Sequence, residues 1–201
     1  MTKSDITKKK ILEAAEEIFA AKGLAGARVD EIAEKAGVNK RMLYAYFGSK
    51  ENLYATVLKI VYSRLAELEK TVDLLASPEE AVCGFIKSYF AFLMYNPNFV
   101  SLVLWENLNK AEFIDLSEAV RIKHPAVEAI RAILRTGKKY NVFKKTVSED
   151  EIVMAINMFC FSYFSNKYTM PRLLGVNLYA KESIDSYCKM VSDMILLYLK
   201  A

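Results

Sequence analysis

The chain has 201 residues, 53% of them hydrophobic and 26% charged, with 7 glycines and 4 prolines. That balance excludes a disordered or collagen-like chain and a turn-rich β protein, and it leaves ample material for a hydrophobic core. The net charge of +4 is modest, but residues 1–50 hold 10 Lys/Arg against 7 Asp/Glu, so most of the excess is N-terminal.

In chain order, Ile11, Leu12, Ala15, Ile18 and Phe19 follow the three-four spacing of an amphipathic helix that should end near Gly23. Val29, Ile32, Ala33 and Ala36 mark a short second helix stopped by Gly37. Asn39 reads as the N-cap of a third, carrying Leu43, Tyr46 and Phe47, and Ser49 as the cap of a fourth that runs from Lys50 to about Val72. Ser77-Pro78-Glu79-Glu80 opens a fifth helix, with a capping serine and proline at its first position, and Pro97 a sixth through Trp105 to Leu108. A seventh is expected from about Leu116 to Lys139, bent at His124-Pro125, and Ser148-Glu149-Asp150-Glu151 is a capping box for an eighth. Pro171 and Gly175 punctuate a loop before a last helix over Lys181 to Leu199. The fold class is all-α, with about nine helices.

Cys83, Cys160 and Cys188 lie far apart inside apolar runs, as reduced, buried thiols would. The N-terminus interleaves charged and apolar residues, unlike a signal peptide, and the most apolar stretch, Ile152 to Phe164, is too short to span a bilayer. A soluble cytoplasmic protein without a membrane association is expected. His124, the single histidine, has no Cys or His at metal-ligand spacing, and no phosphate loop, nucleophile elbow or carboxylate pair is present. Catalytic residues, metal ligands and cofactors are therefore not expected.

The stretch AEKAGVNKRMLYAYF, Ala33 to Phe47, carries the functional reading. Ala33 allows two helices to cross closely, Gly37 takes the positive φ that reverses the chain, and Val38 and Leu43 close a small core with Ile32, Ile18 and Phe19. This is a helix-turn-helix, whose second helix can enter a major groove. Lys40, Arg41 and Met42 occupy its first turn, where Arg41 can read a guanine bidentately and Met42 can touch a thymine methyl. Tyr44 lies on the outer side, and Lys50 sits at a helix N-terminus that attracts phosphate. Between Lys35 and Lys50 the sequence has four cations and no acid.

Residues 4–60 resemble the DNA-binding domain of the TetR family of transcriptional regulators. The likeness rests on Thr7 to Ala15, Phe19 with Gly23, Val29 to Ala33, Gly37-Val38 and Leu43 to Leu53. It implies a DNA-binding domain over residues 1–50 and a C-terminal ligand-binding and dimerisation domain over 51–201. It also implies a homodimer that binds a palindromic double-stranded operator, represses, and is released by a small-molecule effector. By the same likeness Tyr44, Tyr46 and Lys50 touch the DNA backbone. Ala27 stands where the family often has a capping threonine, which leaves Arg28 to supply the phosphate contact.

The C-terminal two-thirds is rich in large aromatics, most of them core. In the resembling family this region encloses an effector cavity, for which Tyr89, Trp105, Asn157, Phe159 and Tyr163 are the candidates for a partly apolar ligand. On the last helix Ile184, Tyr187, Val191, Met194 and Tyr198 form a stripe fit to pair with a second copy, with Met190 and Leu197 on the opposite side. Two alternatives stay open: a nucleoid- or segregation-associated DNA binder that senses no ligand, and a helical module that binds protein.

Overall fold

The computed structural model describes residues 2–73, 75–113 and 124–200. Among these are ten α-helices: α1 (Lys3–Gly26), α2 (Val29–Ala36), α3 (Lys40–Phe47), α4 (Lys50–Ala66), α5 (Pro78–Tyr95), α6 (Pro97–Leu108), α7 (Pro125–Lys139), α8 (Glu149–Ser165), α9 (Met170–Leu174) and α10 (Lys181–Leu199). A 3-10 helix, Glu67–Thr71, ends the run of α4 six residues short of the expected limit at about Val72. The all-α reading holds, and the additional helix is α9, where Pro171 at a first-turn position starts a single turn that Gly175 stops at φ +66°. The seventh helix begins at Pro125, with His124 as its cap; the expected part from 116 to 123 lies outside the described residues.

Local signals in the sequence account for most helix ends. Thr2 and Asp5 form a reciprocal capping box that starts α1, and Ser77 and Glu80 form another at α5. Ser148 accepts from the Glu151 amide, while Asp150 pairs with Arg131, and Glu149 with Arg135 and Lys138, all three cations on α7. The acids of the expected capping box thus also pin α8 to α7.

The described chain divides into two compact units. The first takes the residues up to Arg64 and the stretch that begins at Asn98; the second takes Leu65–Pro97 and the chain from His124 onward. The first therefore extends past residue 50, because three short helices cannot bury their own aromatics. Phe19 of α1 meets Tyr54 of α4 edge-on at 4.9 Å, Tyr54 meets Phe113 at 5.6 Å, and Tyr62 meets Phe99 of α6 at 5.3 Å. Glu16 is gripped by Arg64 through two hydrogen bonds of 2.9 and 2.6 Å and by Asn98 at 3.4 Å. Glu106 is buried in this unit, accepting from the Phe113 amide and facing Tyr54 and Tyr62. Burial, with the Glu106 charge beside it, pushes the Tyr62 phenol up to about 12.

In the second unit Val82 and Ile86 of α5, Ile130 and Leu134 of α7, Ile152, Ile156 and Cys160 of α8, and Val191, Ile195 and Leu199 of α10 are buried. Phe143 lies against Gly137, where a Cβ would come within 2.0 Å of its ring. The Lys144 amide donates to Leu199 at 2.8 Å, tying the end of α10 to the α7–α8 loop. All three cysteines are free, and burial raises each thiol pKa. No described helix is long and apolar enough to cross a membrane.

Candidate nucleic-acid interface

The reversal between α2 and α3 depends on Gly37, at φ +67° and ψ +35°. There the Gly37 amide donates to Glu34 and the Val38 amide to Ala33, both at 3.0 Å, satisfying the last carbonyls of α2. Two residues later the Asn39 side chain accepts from the Met42 amide at 2.9 Å and starts α3. Ile32, Ala33 and Leu43 are buried at the crossing. Local chemistry alone therefore sets the angle at which α3 leaves the body of the unit.

The first turn of α3 presents Arg41, which is exposed and makes no hydrogen bond or ion pair among the described residues. Met42 is half-buried, Tyr44 is 42% exposed and Ala45 is exposed. The acid-free run of the sequence is not acid-free in space. Lys40 pairs with Asp30 at 3.0 Å and Lys35 with Glu17 at 2.8 Å, because α1 and α2 bring their carboxylates alongside. Asp30 holds the Lys40 pKa above its ordinary value. Exposed pairs of this kind contribute only about 0–1 kcal/mol, so a phosphate can replace the carboxylate at little cost.

Arg28, exposed, is the residue before α2; the Glu31 carboxylate accepts from its amide, but its own side chain makes no cap hydrogen bond to that helix. Its first amides are thus open to an anion. Ala27, Arg28, Val29, Lys40, Tyr44, Ser49, Lys50 and Glu51 line one shallow concavity, in which three cations meet one acid. Lys50 departs from the expectation of an exposed, free ammonium. It is half-buried and donates to the carbonyls of Leu24, at 2.9 Å, and Ala27, at 3.3 Å, because the end of α1 leaves those oxygens without helical partners. Tyr44→Phe is accordingly expected to weaken DNA binding with an unchanged urea midpoint. Lys50→Ala should weaken binding and also lower stability by about 1 kcal/mol, since a charge-assisted bridge between α1 and α4 is lost. An unchanged midpoint for Lys50→Ala would count against the bridge.

The effector candidates are divided between the two units. Trp105 belongs to the first unit, where its ring covers Gly23 and its Nε1 donates to the Ala20 carbonyl at 3.2 Å. It packs against the kink of α1 at Gly23. The Tyr89 hydroxyl donates to Asn157 Oδ1 at 2.6 Å, but Asn157 is exposed on the outward side of α8 with Met154 and Met158. Tyr163 donates to the Leu178 carbonyl at 2.5 Å and stacks with Phe90, Phe164 and Tyr187. Phe159 is half-buried. Phe90, Phe164 and Tyr187 are thus the aromatics that join Tyr163.

The stripe on α10 splits. Val191 is fully buried with Ile195 and Leu199, and Tyr187 joins the aromatic cluster, so these face their own subunit. Ile184 is half-buried. Met194 and Tyr198 are exposed, and so are Met190 and Leu197, which the sequence pattern set on the opposite side. A helix apolar over most of its circumference gives no hydropathy signal for which side is core.

Residues 11–57 match the family model for bacterial regulatory proteins of the tetR family, and residues 78–195 match the Tetracyclin repressor-like, C-terminal domain. The HTH-type transcriptional repressor NicS of Pseudomonas putida is 31% identical over 195 residues, covering 96% of this chain and 92% of NicS. The HTH-type transcriptional repressor SCO4008 of Streptomyces coelicolor is 30% identical over 152 residues, 76% of this chain and 75% of that protein. The solved structure of SCO4942 from Streptomyces coelicolor superposes with a TM-score of 0.72 at 25% identity, covering 94% of this chain and 97% of that one.

Proposed function

The chain belongs to the TetR family of transcriptional regulators, and from that premise we propose that it is a repressor that binds a palindromic operator as a homodimer in the cytoplasm. The observation that carries this reading is Arg41, exposed and without a partner among the described residues, in the first turn of a helix set by the Gly37 reversal. The relatives NicS and SCO4008 carry the name repressor, which supports the direction of regulation. The outward methionines of α8 and α10 support a second copy on that side.

A partly apolar small molecule bound in the C-terminal unit releases the operator by linkage. It favours the conformation with misplaced reading helices, and lowers DNA affinity by no more than its preference between the two states. Selection from random duplexes with the purified protein tests the reading. The expected outcome is a palindrome whose half-site centres lie about 34–36 Å apart, or a multiple of that, bound with steep salt dependence. Selection that enriches no palindrome would overturn it. In the same assay Arg41→Ala should relax preference at one base pair per half-site, since a bidentate arginine–guanine contact is worth about 1–3 kcal/mol of discrimination. Coincident motifs for wild type and variant would remove Arg41 from base reading.

A further inference from the structure

The two flanks of α3 are not alike. With successive helical residues about 100° apart, Arg41 and Ala45 mark the middle of the exposed face, Lys40 and Tyr44 lie to one side, and Met42 and Tyr46 to the other. The Lys40–Tyr44 side adjoins Arg28 and Lys50 and is rich in cations. On the Met42–Tyr46 side α3 supplies none of its own. The cation there comes from α1, whose Lys8 ammonium lies over the Tyr46 ring, 5.5 Å from its centre.

That distance is within the range of a cation–π contact. Tyr46 is half-buried and meets Phe47 edge-on at 6.4 Å, so its ring is a fixed surface, whereas Lys8 is exposed and would otherwise sweep a wide volume. The neighbouring lysine is differently engaged: Lys9 pairs with Glu13 at 3.8 Å. Asp5, one turn before Lys8, accepts from the amide of Thr2 and feels the Lys8 charge without a direct ion pair to it. The last carbonyls of α3 add a negative dipole end close to Tyr46. A confined ammonium, with no carboxylate ion pair among the described residues, is thus held beside the helix that is to enter the groove.

A major groove about 12 Å wide is walled by two phosphate backbones, so a helix lying in it presents a flank to each. Resting on the DNA-binding reading above, we infer that Lys8 contacts the operator phosphate on the Met42–Tyr46 flank, and that Tyr46 positions it through its ring face and not through its hydroxyl. Lys8 then acts on every sequence alike, as a phosphate contact does, and carries no base preference.

The test uses the full-length protein and its selected operator, with affinity read by fluorescence anisotropy over a range of salt. Lys8→Gln is expected to lower the slope of log affinity against log salt by about one, equally on operator and on unrelated duplex. Tyr46→Phe keeps the ring and should match wild type. Tyr46→Leu removes the ring and should weaken binding, and the Lys8→Gln/Tyr46→Leu double variant should be no weaker than Lys8→Gln alone. A purely structural Tyr46 would instead lower the thermal midpoint and leave the salt slope unmoved, which overturns the positioning role. An unchanged slope in Lys8→Gln overturns the phosphate contact, and a Tyr46→Phe as weak as Tyr46→Leu assigns the contact to the hydroxyl. Wild-type binding without salt dependence would overturn the DNA-binding reading itself, and Lys8 with it.

Discussion

Gly23→Ala is expected to be among the most damaging single-methyl additions in the first unit, costing about 2–6 kcal/mol. Two separate terms contribute. The residue sits at φ +66° and ψ 177°, a region that is essentially open to glycine alone and costs other residues roughly 1–3 kcal/mol. Its missing Cβ is also the space that Trp105 fills: a methyl there would stand 2.8 Å from Cδ2 and 2.9 Å from Cε3 of the indole. Overpacking of that kind adds about 1–3 kcal/mol, because the ring is also held by its bond to the Ala20 carbonyl. Gly37→Ala supplies the contrast. Gly37 has nearly the same φ but nothing within 4 Å of the added methyl, so only the left-handed penalty of roughly 1–2 kcal/mol applies. Trp105 is the chain's single tryptophan, so its fluorescence in urea reports directly on the contact. In a Trp105→Ala background, followed by circular dichroism, the Gly23→Ala cost should shrink toward the backbone term alone. Equal costs in both backgrounds would show that the indole does not set the kink.

The helix-turn-helix was legible because its determinants are local. Gly37 and Asn39, like the capping pair at Ser77, act within about one turn, and a linear pattern of polar and apolar residues records that distance. What escaped the sequence is the set of bonds between residues far apart in the chain. The Glu16 carboxylate meets Arg64 and Asn98, Trp105 meets Ala20, and Lys50 meets the carbonyls of Leu24 and Ala27. Each partner, taken alone, is an ordinary charged or aromatic side chain at a helical spacing. The Lys40–Asp30 pair shows the consequence for function: counting charges along one stretch overstated its free cations, since folding set Asp30 of α2 beside Lys40 of α3, and Glu17 of α1 beside Lys35 of α2. A signal for the Trp105 contact was present in Gly23 alone, a helix-stopping residue after which α1 makes a further turn to Gly26. The partner of that glycine could not be read from it.

Val191→Glu and Met194→Glu, three residues apart on α10, should fail in opposite ways. Val191 is fully buried, with Ile195 and Leu199 on the same side of the helix. A carboxylate there would be desolvated without a partner, and the protein would either protonate it or open its core. Replacing the valine also removes packed methyls, so a loss of several kcal/mol out of a typical total of about 5–15 kcal/mol leaves the C-terminal unit largely unfolded. Met194 is 45% exposed beside Met190 and Leu197, on the apolar surface proposed to meet a second copy. A glutamate there stays in water while the chain is a monomer, so the fold should survive with a change within about 0.5 kcal/mol. In the dimer, the helix and its symmetry mate would bring two such charges to one interface, where they cannot be hydrated or paired. Sedimentation should therefore find wild type as a dimer, Met194→Glu as a folded monomer, and Val191→Glu as a chain with little helical signal. Operator affinity is expected to fall in both variants, because one helix-turn-helix offers too few base contacts for a specific complex. A Met194→Glu protein that sediments as a dimer and keeps wild-type affinity would move the interface away from this face of α10.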